Sequence, residues 1–294
     1  MTGPLLVLLL AQAAPPATAK DAVLWEKMRA RLQQVDERLD GVLAVSVEDL
    51  ETGRTLEIRA AEPFASASCI KPAVLLELYH AAVAGSVDLQ QVATLPSPRV
   101  GGGGPLELVG ANTRLTWRDL AALTMSYSDN DAANALIDRL GMDAVNTRLR
   151  RLGLASTWLR RRMMDGAAAR EGRENVTTAA DLRGLMKAVR AADGVPPAMA
   201  DDMRALAAGP KRSDFEVVLP GDPRALSKTG FLEGIRCWAA VVELPHRPFA
   251  VGVMAGHLRR DSEGEAAIRE IAGDLVSTFQ RLGEDSEFGR SKMR

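Results

Sequence analysis

Ser66-Ala67-Ser68-Cys69-Ile70-Lys71, running into Pro72-Ala73-Val74-Leu75-Leu76-Glu77-Leu78-Tyr79, is the stretch on which the reading of this chain turns. Val74, Leu75, Leu78 and Tyr79 recur at helical spacing and predict a helix that is buried along most of its length. On such a helix Ser68 and Lys71 lie about one turn apart on one face. A serine becomes a useful nucleophile when a neighbouring base takes its proton. A lysine out of water can be that base, because burial disfavours the ammonium form. By itself Ser-x-x-Lys is weak evidence, since a cap serine and a surface lysine fit the same spacing.

Two further stretches change its weight. Ser128-Asp129-Asn130 follows sixty residues after Ser68, and Lys228-Thr229-Gly230 follows on what reads as a strand. In this order the three motifs make the chain resemble the class A β-lactamases and penicillin-binding serine hydrolases. The resemblance runs from about Lys20 to Gly283. It implies an α+β fold: an antiparallel five-stranded sheet flanked by helices beside an all-helical lobe, with the active site between them.

The remaining sequence is consistent with that architecture. Leu24, Met28, Leu32, Val35 and Leu39 predict a first helix that ends at Gly41. Two strands, 42–47 and 55–58, are joined by a turn at Glu51-Thr52-Gly53-Arg54. A helical block follows, with helices expected over 117–126, 131–140, 143–152, 178–191 and 197–208. Thr116 and Asp119 form a capping box before the first of them. Strands over 225–229, 235–244 and 249–255 precede a last helix at 263–282. Segregated runs of strands and helices indicate α+β organisation. The expected division is an α/β lobe over 20–62 and 210–283, a helical lobe over 63–209, and a disordered tail over 284–294.

Residues 1–19 resemble an export signal. Leu5 to Leu10 is apolar, and Ala17-Thr18-Ala19 supplies small residues at cleavage spacing, although no basic residue precedes the run. The expected location is therefore periplasmic or secreted, in a bacterium. No apolar run is long enough to span a bilayer. A net charge of -1 over 294 residues gives no electrostatic reason to expect nucleic acid or an anionic membrane as partner. Aromatic residues make up 4%, too few for a base-stacking surface. The glycine run Gly101 to Gly104 reads as a flexible loop, because no context for a phosphate cradle follows it. His80, His246 and His257 are scattered without metal-ligand spacing, so neither metal nor cofactor is expected.

Roles at the site come from the resemblance. It implies Ser68 as the acylated nucleophile, Lys71 as its base or proton shuttle, and Ser128 as the relay to the leaving nitrogen. Asn130 would hold the substrate's side-chain amide and orient Lys71. Lys228 and Thr229 would meet the substrate carboxylate, and the N–H groups of Ser68 and Phe231 would form the oxyanion hole. Arg236 falls where many relatives place a carboxylate-binding arginine. Asp129 and Asn134 are expected to fix loops behind the site.

One departure stands out. Aligned on Leu152-Gly153 and the 157–161 stretch, the family's deacylating glutamate falls at Met163. Asp165 is two residues off and shorter, and Glu171 has the wrong spacing. Arg161 with Glu174 and Asn175 could close the neck of this Ω-loop. Cys69 and Cys237 flank the site, and two buried free thiols are preferred over a disulfide, because the relatives' bridge uses a cysteine just before the nucleophile.

The resemblance thus implies a serine acyl-transfer hydrolase acting on a β-lactam or a peptidoglycan-derived substrate, as a monomer. A D-Ala-D-Ala peptidase, and a sensor that traps β-lactams without turnover, remain as alternatives.

Overall fold

A computed structural model describes residues 19–93, 95, 97–110, 112–211 and 217–290. The apolar run expected to act in export lies outside these residues, as do the last four of the tail. Helix α1 (Ala19–Arg38) leads to strands β1 (Val42–Asp49), β2 (Thr55–Ile58) and the short β3 (Phe64–Ala65). A 3-10 turn, Ala67–Ile70, then opens α2 (Lys71–Val83). The helical block continues with α3 (Trp117–Ser126), α4 (Asn130–Leu140), α5 (Met142–Arg151) and the one-turn α6 (Gly166–Arg170). After β4 (Val176–Thr177) come α7 (Ala179–Ala191) and α8 (Pro197–Ala208). Strands β5 (Ala225–Leu232), β6 (Ile235–Val242) and β7 (Phe249–Gly256) and helix α9 (Asp261–Glu284) complete the chain.

The five long strands form one antiparallel sheet in the order β2-β1-β7-β6-β5. Alternation along the strands feeds two cores. Leu43, Val45, Val47, Trp238 and Val253 pack on one face, with Met28 and Leu32 of α1 and Ile268, Ile271 and Leu275 of α9. Ala44, Ala239, Val241 and Met254 turn to the other face, against α2 and α7. Both faces are covered, so the central strands read as nearly unbroken apolar runs.

Helix boundaries follow local chemistry. Thr116 and Asp119 form the reciprocal capping box that the sequence indicates. Asp129 caps α4 by accepting from Ala132 N at 2.8 Å. The closing helix runs on to Glu284, and Lys20 Nζ donates to the Asp285 carbonyl at 2.8 Å.

Two features differ from the sequence reading. Ser68 sits on the 3-10 turn, not on the α-helix with Lys71, which is the first residue of α2. Ala67, immediately before Ser68, has φ +44°. An L-residue in this left-handed region turns the chain sharply just before the nucleophile, and the 3-10 turn then runs into α2 through Ile70 and Lys71 in right-handed helical conformation. The second feature is a two-residue ribbon in which Phe64 pairs with Thr177 and Ala65 with Val176. It ties the approach to the nucleophile to the end of the Ω-loop.

Candidate active site

The nucleophile turn, the α3–α4 connection, the 161–175 loop and the edge strand β5 surround a cavity of about 530 Å³. Ser68, Ser128, Asn130, Phe231 and Arg236 line it. Lys71 and Lys228 are 0% and 2% exposed and sit behind that wall. Strand β5 reaches Ser68 because Gly230 has no side chain: a Cβ there would lie 2.7 Å from Ser68 N and 2.8 Å from Cys237 Sγ. This close approach puts Phe231, next along β5, on the same cavity as Ser68.

Lys71 is held from three sides. Its Nζ donates to Asn130 Oδ1 at 2.9 Å and to the Ser128 carbonyl, and lies 3.0 Å from Ser128 Oγ. Ser128 can offer both atoms because it takes φ +57° at the connection between α3 and α4. Burial foremost, then the charge of Lys228, holds the Lys71 pKa well below the ordinary lysine value, against smaller opposing effects of Asp129 and Cys69. A neutral amine fits these partners. Its two N–H bonds suffice for the two carbonyl oxygens, and its lone pair remains for a hydroxyl proton. Burial also draws Lys228 down to about 8. Its Nζ donates to the Thr229 carbonyl at 2.7 Å.

Arg236 reaches the cavity wall with its guanidinium committed. Nε donates to Glu265 at 3.0 Å, Nη1 donates to the carbonyls of Leu232 and Ile235 at 2.9 Å each, and Nη2 lies 3.2 Å from Asp261. A substrate carboxylate here would compete with two acidic side chains.

The Ω-loop is present and closed at its neck. Arg161 grips Glu174 with two parallel bonds, Nε to Oε1 at 2.9 Å and Nη2 to Oε2 at 3.0 Å. Asn175 Oδ1 accepts from the backbone N–H groups of Arg160 and Arg161 at 2.7 and 3.0 Å. Met163 is buried on the cavity wall. Asp165 caps α6, accepting from Ala168 N at 3.0 Å, and Glu171 pairs with Arg173. Neither acid lines the cavity. Glu174 does, with both carboxylate oxygens engaged by Arg161.

Cys69 and Cys237 are unpaired and buried, with their sulfur atoms 2.8 Å apart. Burial first, and then the neighbouring Cys237, pushes the Cys69 thiol well above its ordinary pKa. Asp129 and Asn134 lie behind the site as expected, the first on Leu106 N at 2.9 Å and the second on the backbone of Met163. The sequence reading missed the contact of the Gly101–Gly104 loop with Asn130, whose Nδ2 donates to the Gly101 and Gly102 carbonyls. A run of glycines carries no side-chain signal for such a contact.

Comparison with known proteins agrees with this geometry. The family model described as "Beta-lactamase enzyme family" matches residues 27–279. A variant of the last common ancestor of Gram-negative bacteria class A β-lactamase superposes with a TM-score of 0.79 at 26% identity, covering 87% of this chain and 99% of that one. The β-lactamase of Sphaerobacter thermophilus gives 0.77 at 26%, over 88% and 97% of the two chains. PBP-A shares the fold, with a TM-score of 0.77 at 23% identity over 87% and 97%. No curated protein matches significantly. With the family model spanning nearly the whole described chain and the sheet, helical lobe and Ω-loop in place, the chain belongs to the β-lactamase enzyme family.

Proposed function

We propose that the protein is a serine acyl-transfer enzyme that opens β-lactams to an acyl-enzyme on Ser68 and releases the product slowly. The observation that carries this reading is Lys71, fully buried, depressed in pKa, and within 3.0 Å of Ser128 Oγ. In the proposed cycle neutral Lys71 takes the Ser68 hydroxyl proton as Oγ attacks the lactam carbonyl. The oxyanion that forms is met by the N–H groups of Ser68 and Phe231. Ser128 then passes a proton to the lactam nitrogen and is resupplied from Lys71, the C–N bond breaks, and the acyl ester remains on Ser68. Lys228 and Thr229 receive the substrate carboxylate, with Arg236 contributing if its acidic partners yield. With methionine in the family's glutamate position, Lys71 is the base available for acylation.

Release needs a water deprotonated as it attacks the ester. Met163 carries no proton-accepting group, Asp165 is spent on a helix cap, and Glu174 is clamped by Arg161. The same observation favours a second reading, a peptidase or β-lactam trap of this superfamily. A chromogenic cephalosporin tests slow release, which expects a burst of about one equivalent followed by a slow phase, and cleavage of a D-Ala-D-Ala peptide would favour the second reading. Linear turnover from the first seconds contradicts slow release. Bacterial export and a monomeric state belong to this proposal and are open to fractionation and sedimentation. Among the described residues no helix is long and apolar enough to cross a membrane.

A further inference from the structure

Asn130 has no donor to spare. An asparagine side chain has two N–H bonds and one carbonyl. The carbonyl accepts from Lys71 Nζ, and this turns Nδ2 toward the Gly101–Gly104 segment. There Nδ2 donates to Gly101 O at 3.2 Å and to Gly102 O at 2.9 Å. Under the function proposed above, on which this inference rests, those N–H bonds would meet the amide of a substrate's acyl side chain. In this structure the chain's own backbone occupies that seat.

The segment is anchored at its ends, and in its middle a backbone bond, Gly103 N to the Glu107 carboxylate, holds it to the chain that follows. Val100 N and Gly101 N donate to the Asp131 carboxylate at 2.7 and 3.2 Å. Gly104 lies so close to Asp129 that a Cβ would meet its carboxylate at 2.3 Å. Asp129 and Asp131 flank Asn130 in sequence, so both anchors grip the same turn. Between them the open side of Gly102 faces Met164, with Asn130 Nδ2 beside it at 3.2 Å from where a Cβ would lie. A Cβ on Gly102 would lie 2.7 Å from Met164 Cε and 2.8 Å from its Sδ. Met164 comes from the opposite wall and is 53% exposed. All four glycines have positive φ, from +67° to +121°, where side chains are disfavoured. Such a segment reaches from one wall to the other and can leave without breaking a packed core.

We propose that Gly101–Gly104 is a displaceable strap over the acyl-side-chain subsite, so that a substrate's side-chain amide must replace the Gly101 and Gly102 carbonyls on Asn130 and ligands lacking that amide are favoured. The strap thereby sets specificity for the acyl half of the substrate. Opening it exposes the Asn130 donors, and closing it satisfies them.

The test compares two probes, benzylpenicillin, which carries a side-chain amide, and unsubstituted penicillanic acid, which does not. Acylation of Ser68 is followed by intact-mass spectrometry. Gly102→Ala places a Cβ against Met164 at a left-handed φ and disfavours the closed strap. The ratio of the benzylpenicillin rate to the penicillanic acid rate should rise roughly 5–30-fold. Met164→Ala removes the opposing contact without adding atoms and should move the ratio the same way by a smaller factor. A ratio that stays level or falls in both variants, while acylation persists, overturns the strap alone. No adduct from either probe on any of the three proteins overturns the acylation reading, and the strap with it.

Discussion

Met163 and Asn134 hold one another by a reciprocal pair of bonds: Met163 N donates to Asn134 Oδ1 at 2.7 Å, and Asn134 Nδ2 donates to Met163 O at 3.1 Å. The backbone at position 163 is therefore fixed from α4, while its side chain closes the cavity wall. The loop thus holds position 163 in a fixed place on the cavity wall and fills it with an apolar group.

If release is slow as proposed, replacing that group with an acid should speed it. Met163→Glu is expected to speed release of the penicilloyl group by about 10²–10⁴-fold, the usual worth of a positioned general base. Single-turnover decay of the adduct measures it. Decay no faster than in the unaltered protein would mean that a carboxylate at 163 does not reach the ester.

The clamp itself should matter for stability. Asn134→Ala leaves the buried Met163 N–H and carbonyl without partners, at a cost of about 1–3 kcal/mol. Chemical denaturation should show the loss, and hydrogen exchange should place it in residues 161–175. Unchanged exchange there would separate Asn134 from the loop.

Lys71 gives a pH signature with a definite sign. As a base it must be neutral, so acylation should rise as pH passes upward through its depressed pKa. The charge of Lys228 is one cause of that depression, after burial. Lys228→Ala removes it, raises the Lys71 pKa, and should move the acid limb of the profile to higher pH. A limb that stays in place or moves down would assign the titration to another group. Lys71→Ala should slow acylation about 10²–10⁴-fold.

The thiols give a simpler check. Unfolded in the absence of reductant, the protein should take two maleimides, one each on Cys69 and Cys237, because both are free in the fold. Failure to label would show that the two sulfur atoms, already in contact, had been joined.

Much of this site is legible in the sequence because periodicity and spacing carry it. Val74, Leu78 and Tyr79 mark α2 as buried, and Thr116 with Asp119 marks where α3 begins. The three motifs mark which loops must meet. What stays hidden depends on the backbone. The positive φ at Ala67 and Ser128 has no compositional marker, since neither residue favours that region. Two-residue strands such as Phe64–Ala65 are too short to alternate. The commitment of Arg236 to Asp261 and Glu265 arises from α9 packing beside β6, a contact some thirty residues away in the chain. Spacing from the Lys-Thr-Gly motif places the arginine but not its partners.

Ser68 as a nucleophile whose ester persists is the claim to which everything else attaches. Intact-mass spectrometry of the protein mixed with benzylpenicillin and sampled from seconds to hours tests it most directly. The account predicts one penicilloyl adduct per chain, formed early, mapped to the peptide containing Ser68, absent in Ser68→Ala, and decaying slowly. An adduct on another residue, or complete hydrolysis of the penicillin with no adduct at any time, would contradict it.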